Sequence, residues 1–227
     1  MRLVLALTLA TVVVVWLARV PILRAVGSAL VAEDALAPVD VIAVSHANLR
    51  ESALEVALLH REGFGRRFVV VEGRTDWIQR HLEEIGVWTP LPHELAVDIL
   101  VRRGVPREAI TVLPGAIDGT NTEITVLVHF ANREKLESML YVTSRSHTAR
   151  AAWRLRREAP GTRMLVRAPR TDDFDVDAWW RRRGSTREVM TEYLRSFNSY
   201  VLGDRWRGRE PSGAGDAARP DDAAQGP

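Results

Sequence analysis

Cysteine is absent from the 227-residue chain. Disulfide bonds, cysteine-ligated zinc, iron–sulfur clusters and thiol nucleophiles are therefore excluded. An excess of charge of one sign is also absent, because 31 lysines and arginines stand against 29 aspartates and glutamates, for a net charge of +2. This balance gives no electrostatic footprint for nucleic acid, so we expect no nucleic-acid partner.

Several motifs of catalysis and cofactor binding are absent as well. The chain contains no G-x-S-x-G elbow, no phosphate-binding P-loop and no G-x-G-x-x-G fingerprint. Its six histidines show neither H-x-x-x-H nor H-E-x-x-H spacing, so the sequence predicts no metal site. It also leaves any cofactor unknown.

One apolar run without charged residues covers residues 3–18. It approaches the roughly 20 apolar residues of a spanning helix if Arg19 snorkels, and Trp16 suits a membrane interface. We therefore predict an uncleaved single-pass anchor at residues 1–24, followed by a linker at residues 25–38. A cleaved signal peptide and a buried core helix remain alternatives. Arginines on both sides of the run leave its orientation open.

From residue 39 onward, short apolar runs alternate with segments of helical periodicity. This alternation predicts an α/β fold, with a Rossmann-like parallel sheet covered by helices on both faces in three layers. The domain is expected to span residues 39–206, before a disordered tail rich in Gly, Pro, Ala and charge at residues 207–227. The predicted strands are residues 39–44, 67–71, 109–113, 140–143 and 163–168. The predicted helices are residues 49–63, 77–85, 93–103, 121–133 and 149–158, and a last one from residue 185.

The last predicted helix carries two local patterns. Ser185 and Glu188 fit a capping box at its start. Apolar residues then recur every four positions, and we expect this stripe to pack on the domain. The stripe consists of Val189, Tyr193, Phe197 and Val201.

Ligand sites of parallel sheets lie beyond the carboxyl ends of the strands, so the polar residues there are the candidates. The densest cluster is TSRSHTAR at residues 143–150. His147 and Arg150 share a face of the following helix, near an N-terminus that favours anions. They form a candidate phosphate clamp beside Ser144, with His147 as the proton donor or acceptor. Solvated basic residues behind a plain serine cap are the alternative.

A second cluster, DGTNTE at residues 118–123, follows the third predicted strand. Asn121 and Thr122 are candidate ligands for a phosphate or a sugar, and Asp118 is a candidate catalytic carboxylate that could orient a water or a metal. A T-x-x-E capping box in the same cluster is the alternative. Arg50, at the start of the first helix after the anchor, would add a guanidinium at this edge unless it is a plain surface arginine.

Four motifs of the predicted domain occur together in one known group of proteins. They are LVRRGVPREAITVL at residues 100–113, TNTE at 120–123, VTSRSHTARAAW at 142–153 and STREVMTEYLRSFNSYVLG at 185–203. With them the chain resembles the bacterial YdcF/SanA/ElyC-like family. The most specific part of the resemblance is the element formed by Ser144 or Ser146 with His147, Arg150 and Ala151, and the family's first-helix arginine matches Arg50. The resemblance implies a Rossmann-like domain, often outside the cytoplasmic membrane behind an N-terminal helix. For some members it implies a role in envelope integrity and peptidoglycan-precursor metabolism.

The chain departs from the family pattern in two loops that are usually glycine-rich. Here they read SHAN at residues 45–48 and EGR at residues 72–74. Glycines would let the backbone approach a phosphate closely, whereas side chains obstruct it. Two functions therefore stay open. One is a membrane-anchored envelope domain that binds or processes a phosphate-bearing cell-wall precursor, such as a lipid-linked or nucleotide sugar. The other is a non-catalytic envelope-integrity factor that keeps the fold. A third idea, a cytoplasmic S-adenosylmethionine binder, conflicts with the apolar N-terminus.

Overall fold

The computed structural model describes residues 2–73, 75, 77–117 and 120–202. Its strands are β1 (Val41–Val44), β2 (Arg67–Gly73), β3 (Ile110–Ile117), β4 (Ser138–Val142) and β5 (Arg163–Arg167). Its α-helices are α1 (Arg2–Ser28), α2 (Leu49–Arg61), α3 (Trp77–Glu84), α4 (Pro92–Arg102), α5 (Thr120–Glu134), α6 (Thr148–Glu158) and α7 (Arg183–Phe197). The strands form one parallel sheet in the order β3-β2-β1-β4-β5. The predicted α/β class and the Rossmann-like parallel sheet are confirmed.

Two hydrophobic cores lie on opposite faces of the sheet, because successive strand side chains point to opposite sides. In β1, Val41 and Ala43 join the core that contains the apolar side chains of α5 and α6. Ile42 and Val44 join the core that contains those of α2 and α4. The near-continuous apolar runs in the sequence therefore reflect strands that are buried from both sides.

The segment predicted to be a linker, residues 25–38, is bonded to the edge strand β5. The Asp34 amide donates to the Val166 carbonyl (2.9 Å), and the Asp34 carboxylate accepts from the Val166 amide (2.8 Å). Glu33 accepts from the Ala168 amide in the same way (2.9 Å). These bonds occupy backbone groups that an open sheet edge would otherwise present to other chains.

The end of α1 packs on the domain around one tryptophan. The Trp179 indole N–H donates to the Leu23 carbonyl (2.8 Å), and Leu30 shares a small core with Trp179, Phe174 and Val189. Among the described residues, no helix combines the length and the apolarity needed to cross a membrane.

Replacing Gly27 with alanine is expected to destabilise the domain by about 1–3 kcal/mol, as overpacking does. A Cβ atom there would lie 2.7 Å from Cδ1 of Trp179 and 3.0 Å from the Val176 carbonyl oxygen. This clash outweighs the better helix propensity of alanine, which is worth about 1 kcal/mol. Thermal unfolding measures the effect, and Gly184→Ala in α7 is the matched control, because a Cβ at Gly184 meets nothing within 4 Å. An unchanged melting temperature for Gly27→Ala would contradict the packing of α1.

The chain divides into two compact units, Met1–Glu192 and Tyr193–Pro227, and α7 passes from the first into the second. In the first unit Val189 is buried, as predicted for the apolar stripe. In the second unit Tyr193, Phe197 and Val201 are exposed, so the expectation that the whole stripe is packed is wrong.

The predicted capping box of the last helix is also wrong. The helix begins at Arg183, and the Glu188 carboxylate accepts a hydrogen bond from the Ser146 hydroxyl. The physical reason is that Glu188 and Glu192 have partners in the turn before α6 and in its first residues. In the first unit, α7 therefore contacts the domain through these two glutamates as well as through the buried side chain of Val189.

Candidate functional site at the carboxyl edge of the sheet

The turns after β1 and β4 lie side by side at the carboxyl edge of the sheet. Val44 is in register with Val142, and the Ser45 amide donates to the Val142 carbonyl (3.0 Å). Beyond that pair, the Thr143 hydroxyl donates to Ser45 Oγ (3.1 Å). The structure thus joins one of the two atypical loops to the segment that contains the candidate clamp.

A buried polar network lies directly beneath these two turns. The Tyr141 hydroxyl lies 2.8 Å from Ser45 Oγ and 3.0 Å from Glu123 Oε2. Glu123 Oε1 accepts a hydrogen bond from the His46 amide (3.1 Å). Burial raises the pKa of Glu123 to about 8, although its hydrogen bonds to His46, Tyr141 and Ser45 act to lower it. Glu123 is therefore largely protonated at neutral pH. As an uncharged carboxyl group, it holds the loop after β1 through the His46 amide.

The His46 side chain closes the same loop against β2. The ladder between β2 and β3 is irregular between Val71 and Gly73, and His46 Nε2 lies 2.6 Å from the Val71 carbonyl oxygen. Burial lowers the pKa of His46, and nearby His93 lowers it further, against the effect of the Val71 hydrogen bond. The neutral ring therefore donates from Nε2 to a carbonyl that the irregular ladder leaves available.

Glu192 lies between His147 and Arg150, the two residues of the candidate clamp, and nothing in the sequence pattern assigns it to that clamp. His147 Nδ1 lies 2.6 Å from Glu192 Oε2, and Arg150 Nε lies 2.5 Å from Glu192 Oε1. Arg150 Nη2 donates to Oε2 as well (3.2 Å). Burial raises the pKa of Glu192, but His147 and Arg150 outweigh it and the net shift is downward. The carboxylate is ionised and takes the place between imidazole and guanidinium that was predicted for a ligand anion.

A second carboxylate, that of Asp172, lies at the turn after β4. Asp172 Oδ2 accepts from the Arg145 amide (3.0 Å) and from the Asn48 side-chain amide (3.3 Å). Its Oδ1 accepts from the Phe174 amide (3.0 Å). Asp172 thereby joins the turns after β1 and β4, where backbone N–H groups of a Rossmann-like fold would otherwise meet a phosphate.

The first turn of α6 uses its amide groups inside the chain. The Ala149 amide donates to the Leu30 carbonyl (3.1 Å), and the Thr148 amide donates to the Arg145 carbonyl. The Thr148 hydroxyl accepts from the Ala32 amide (2.9 Å). The carbonyl groups of Leu30 and Arg145 therefore satisfy these two amide donors at the predicted anion-binding end of the helix.

Three other predicted site residues lie at the starts of α2 and α5. Arg50 is exposed at the start of α2 and has no hydrogen-bond or ion-pair partner among the described residues. Thr122 is exposed in the first turn of α5. Asn121 belongs to the same turn, but its side chain lies outside the described part of the chain, as does Asp118 entirely.

Ser144 is buried, and its hydroxyl has no hydrogen-bond partner in the described part of the chain. It stands at the start of the short turn that carries His147, whose amide donates to the Ser144 carbonyl (3.0 Å). Among described residues, no group of three or more His, Asp or Glu side chains is placed to hold a metal ion.

No protein-family model and no curated protein sequence matches this chain. The function is therefore inferred from the geometry of the carboxyl edge. Three carboxyl groups decide that geometry, those of Glu123, Asp172 and Glu192. Of these, only Glu123 lies in a cluster of candidate site residues in the sequence, the DGTNTE cluster. The sequence pattern suggests a helix-capping role for it. The sequence could indicate only that a buried guanidinium needs a counter-charge, and it could not indicate that Glu192 supplies it.

Proposed function

We propose that this chain is a non-catalytic envelope factor that keeps a YdcF/SanA/ElyC-like fold and acts through other molecules. The observation that supports the proposal is the Glu192 carboxylate, which makes short contacts with both His147 and Arg150. These are the two side chains that would have to receive a substrate anion. A ligand phosphate would have to displace a buried, ionised carboxylate with short contacts to both.

Two further carboxyl groups support the same proposal. Glu123 accepts from the His46 amide after β1, and Asp172 accepts from the Arg145 amide after β4. In parallel α/β folds, turns of this kind present backbone N–H groups to a bound anion. The side chains of the atypical loop, His46 and Asn48, add bonds that tie the loop to Val71 and Asp172. The turns after β1 and β4 are thus occupied by the chain's own groups.

The envelope part of the proposal is supported by the sequence. The charge-free run at residues 3–18 favours a single-pass anchor in the cytoplasmic membrane, and the family resemblance favours a domain outside it. Both stay predictions. In this proposal the domain contributes a surface for protein partners in the envelope, and no chemical step is assigned to His147 or Asp118.

A second candidate function is binding or processing of a phosphate-bearing small molecule, and one observation favours it. His147 Nδ1 lies 2.6 Å from Glu192 Oε2 while about a tenth of the imidazole stays exposed, and the Ser144 hydroxyl has no hydrogen-bond partner among the described residues. A carboxylate that orients a histidine through Nδ1 is a common arrangement in acid–base catalysis. Arg50 and Thr122, both exposed, and Asn121 would then complete the ligand site.

A thermal-shift series separates the two functions. Inorganic phosphate, nucleotides and phosphosugars are expected to leave the melting temperature of the full chain within about 1 °C. A true ligand at a hundred times its Kd would add about 2.7 kcal/mol. That gain would raise the melting temperature of a domain of this size by about 5–10 °C. The matched variants are Arg50→Ala and Ser144→Ala. A stabilised wild type with both variants unresponsive would overturn the non-catalytic proposal in favour of the second candidate.

A further inference from the structure

The described part of the second unit, residues 193–202, exposes its apolar side chains. Leu194, Phe197 and Val201 are 72%, 60% and 60% exposed, whereas its two buried side chains are the serines Ser196 and Ser199. Leu194 and Phe197 are three residues apart in α7, and Val201 follows four residues later in the π-helical turn Asn198–Leu202, so the three side chains lie along one side of the segment. An amphipathic helix normally buries such a face, so this exposed face is a candidate contact surface.

The charge of residues 193–209 indicates which kind of surface the exposed apolar face would bind. Arg195 is the one charged residue in residues 193–202. The next seven residues, GDRWRGR, add three arginines and one aspartate around a tryptophan, so residues 193–209 carry four arginines against one acidic residue, a net charge of +3. A helix with an apolar face, flanking arginines and aromatic residues is typical of segments that lie in the interface of an anionic bilayer. A neutral or basic protein surface would not complement this charge.

We propose that residues 193–202 form an interfacial segment that binds an anionic lipid surface. Leu194, Phe197 and Val201 enter the boundary between headgroups and acyl chains, and Arg195 contacts lipid phosphates. Even if all ten residues were α-helical, the segment would be at most about 15 Å long, half the hydrocarbon thickness, so it lies on the membrane and does not cross it. This contact is independent of the predicted N-terminal anchor and of the carboxyl edge of the sheet.

The absence of cysteine makes a site-specific test possible in the full chain. Leu194→Cys and the exposed control Lys135→Cys are each labelled with an environment-sensitive fluorophore. Both are titrated with phosphatidylcholine vesicles and with vesicles that contain about a third phosphatidylglycerol. The label at position 194 is expected to shift to the blue with anionic vesicles only, and the shift is expected to weaken as salt is added. The label at position 135 is expected to stay in an aqueous environment throughout.

Two variants in the Leu194→Cys background separate the parts of the proposal. Arg195→Gln is expected to weaken the response about fivefold, since one arginine near an anionic surface contributes about 1 kcal/mol. Phe197→Ser is expected to weaken it at least tenfold, because burying one such side chain is worth about 1.5–3 kcal/mol. Melting temperatures within about 1 °C of the parent confirm that the folded domain is intact.

Three results would overturn the proposal. The first is a label at position 194 that stays aqueous while the protein floats with the vesicles through its N-terminus. The second is an equal shift with neutral and anionic vesicles, which would remove the role of Arg195. The third is a shift that depends on protein concentration without vesicles, which would assign the face to a second copy of the chain.

Discussion

Replacing Glu192 with alanine is expected to destabilise the domain by about 3–5 kcal/mol, which is the usual cost of leaving buried charges without their partner. Arg150 and His147 are both buried against the removed carboxylate, at 2.5 Å and 2.6 Å. Chemical denaturation of the full chain measures the loss. Glu134→Ala is the matched control, because its contact with Arg67 is exposed and is worth at most about 1 kcal/mol.

The same variant tests whether Glu192 occupies an anion site. If the carboxylate stands in for a ligand anion, formate, acetate or phosphate at millimolar concentration is expected to restore part of the lost stability of Glu192→Ala. The anions should leave Glu134→Ala and the wild type unchanged. If Glu192→Ala is destabilised and no small anion restores its stability, the space left by the carboxylate is not an anion-binding site.

The second large effect concerns Glu123 and pH. Its folded pKa of about 8 lies above the ordinary value of 4.5, so the folded state binds more protons than the unfolded state between these values. Stability is therefore expected to fall as pH rises through this window, at up to about 1.4 kcal/mol per pH unit. The total loss is on the order of 5 kcal/mol. Glu123→Gln keeps an acceptor for the His46 amide and is expected to remove this part of the slope.

Stability curves of the wild type and Glu123→Gln, measured by denaturation from pH 4.5 to pH 8.5, give the comparison. Groups common to both proteins, such as Glu192, cancel in the difference. Tyr141→Phe is the matched control, because it removes the hydroxyl 3.0 Å from the carboxyl group while the carboxyl group stays buried. It should keep the pH-dependent slope. Parallel curves for the wild type and Glu123→Gln would mean that Glu123 titrates near its ordinary pKa.

The opposite directions of the two glutamate pKa values follow from their neighbours. Glu123 is buried among neutral donors, which offset only part of its desolvation. Glu192 is buried beside a guanidinium and an imidazole, which outweigh desolvation and lower its pKa. Stability contributed by Glu192 is therefore present above its unfolded pKa and lost as pH falls through its folded pKa. The two residues together favour a stability maximum near the ordinary glutamate pKa of 4.5, where the two pH windows meet.

The candidate site was predictable in part. The spacing of His147 and Arg150 predicts that they act together, and both contact the same carboxylate. The identity of that carboxylate was not predictable, because Glu192 lies 42 residues beyond Arg150 in a helix whose apolar pattern suggested only packing. Asp172 follows β5 in an irregular segment without any motif. Long-range pairs of this kind leave no periodic signal in a single sequence.

The sequence by itself determined the α/β class and the parallel sheet of this protein, because strands buried on both faces require continuous apolar runs and amphipathic helices require a period near 3.6 residues. The tertiary structure alone decided which polar groups meet. Strand order brings the turns after β1 and β4 together, and the orientation of α7 carries Glu192 to Arg150. Apolar burial depends on local pattern, whereas the partner of a buried charge depends on which distant segment the fold places within 3 Å of it.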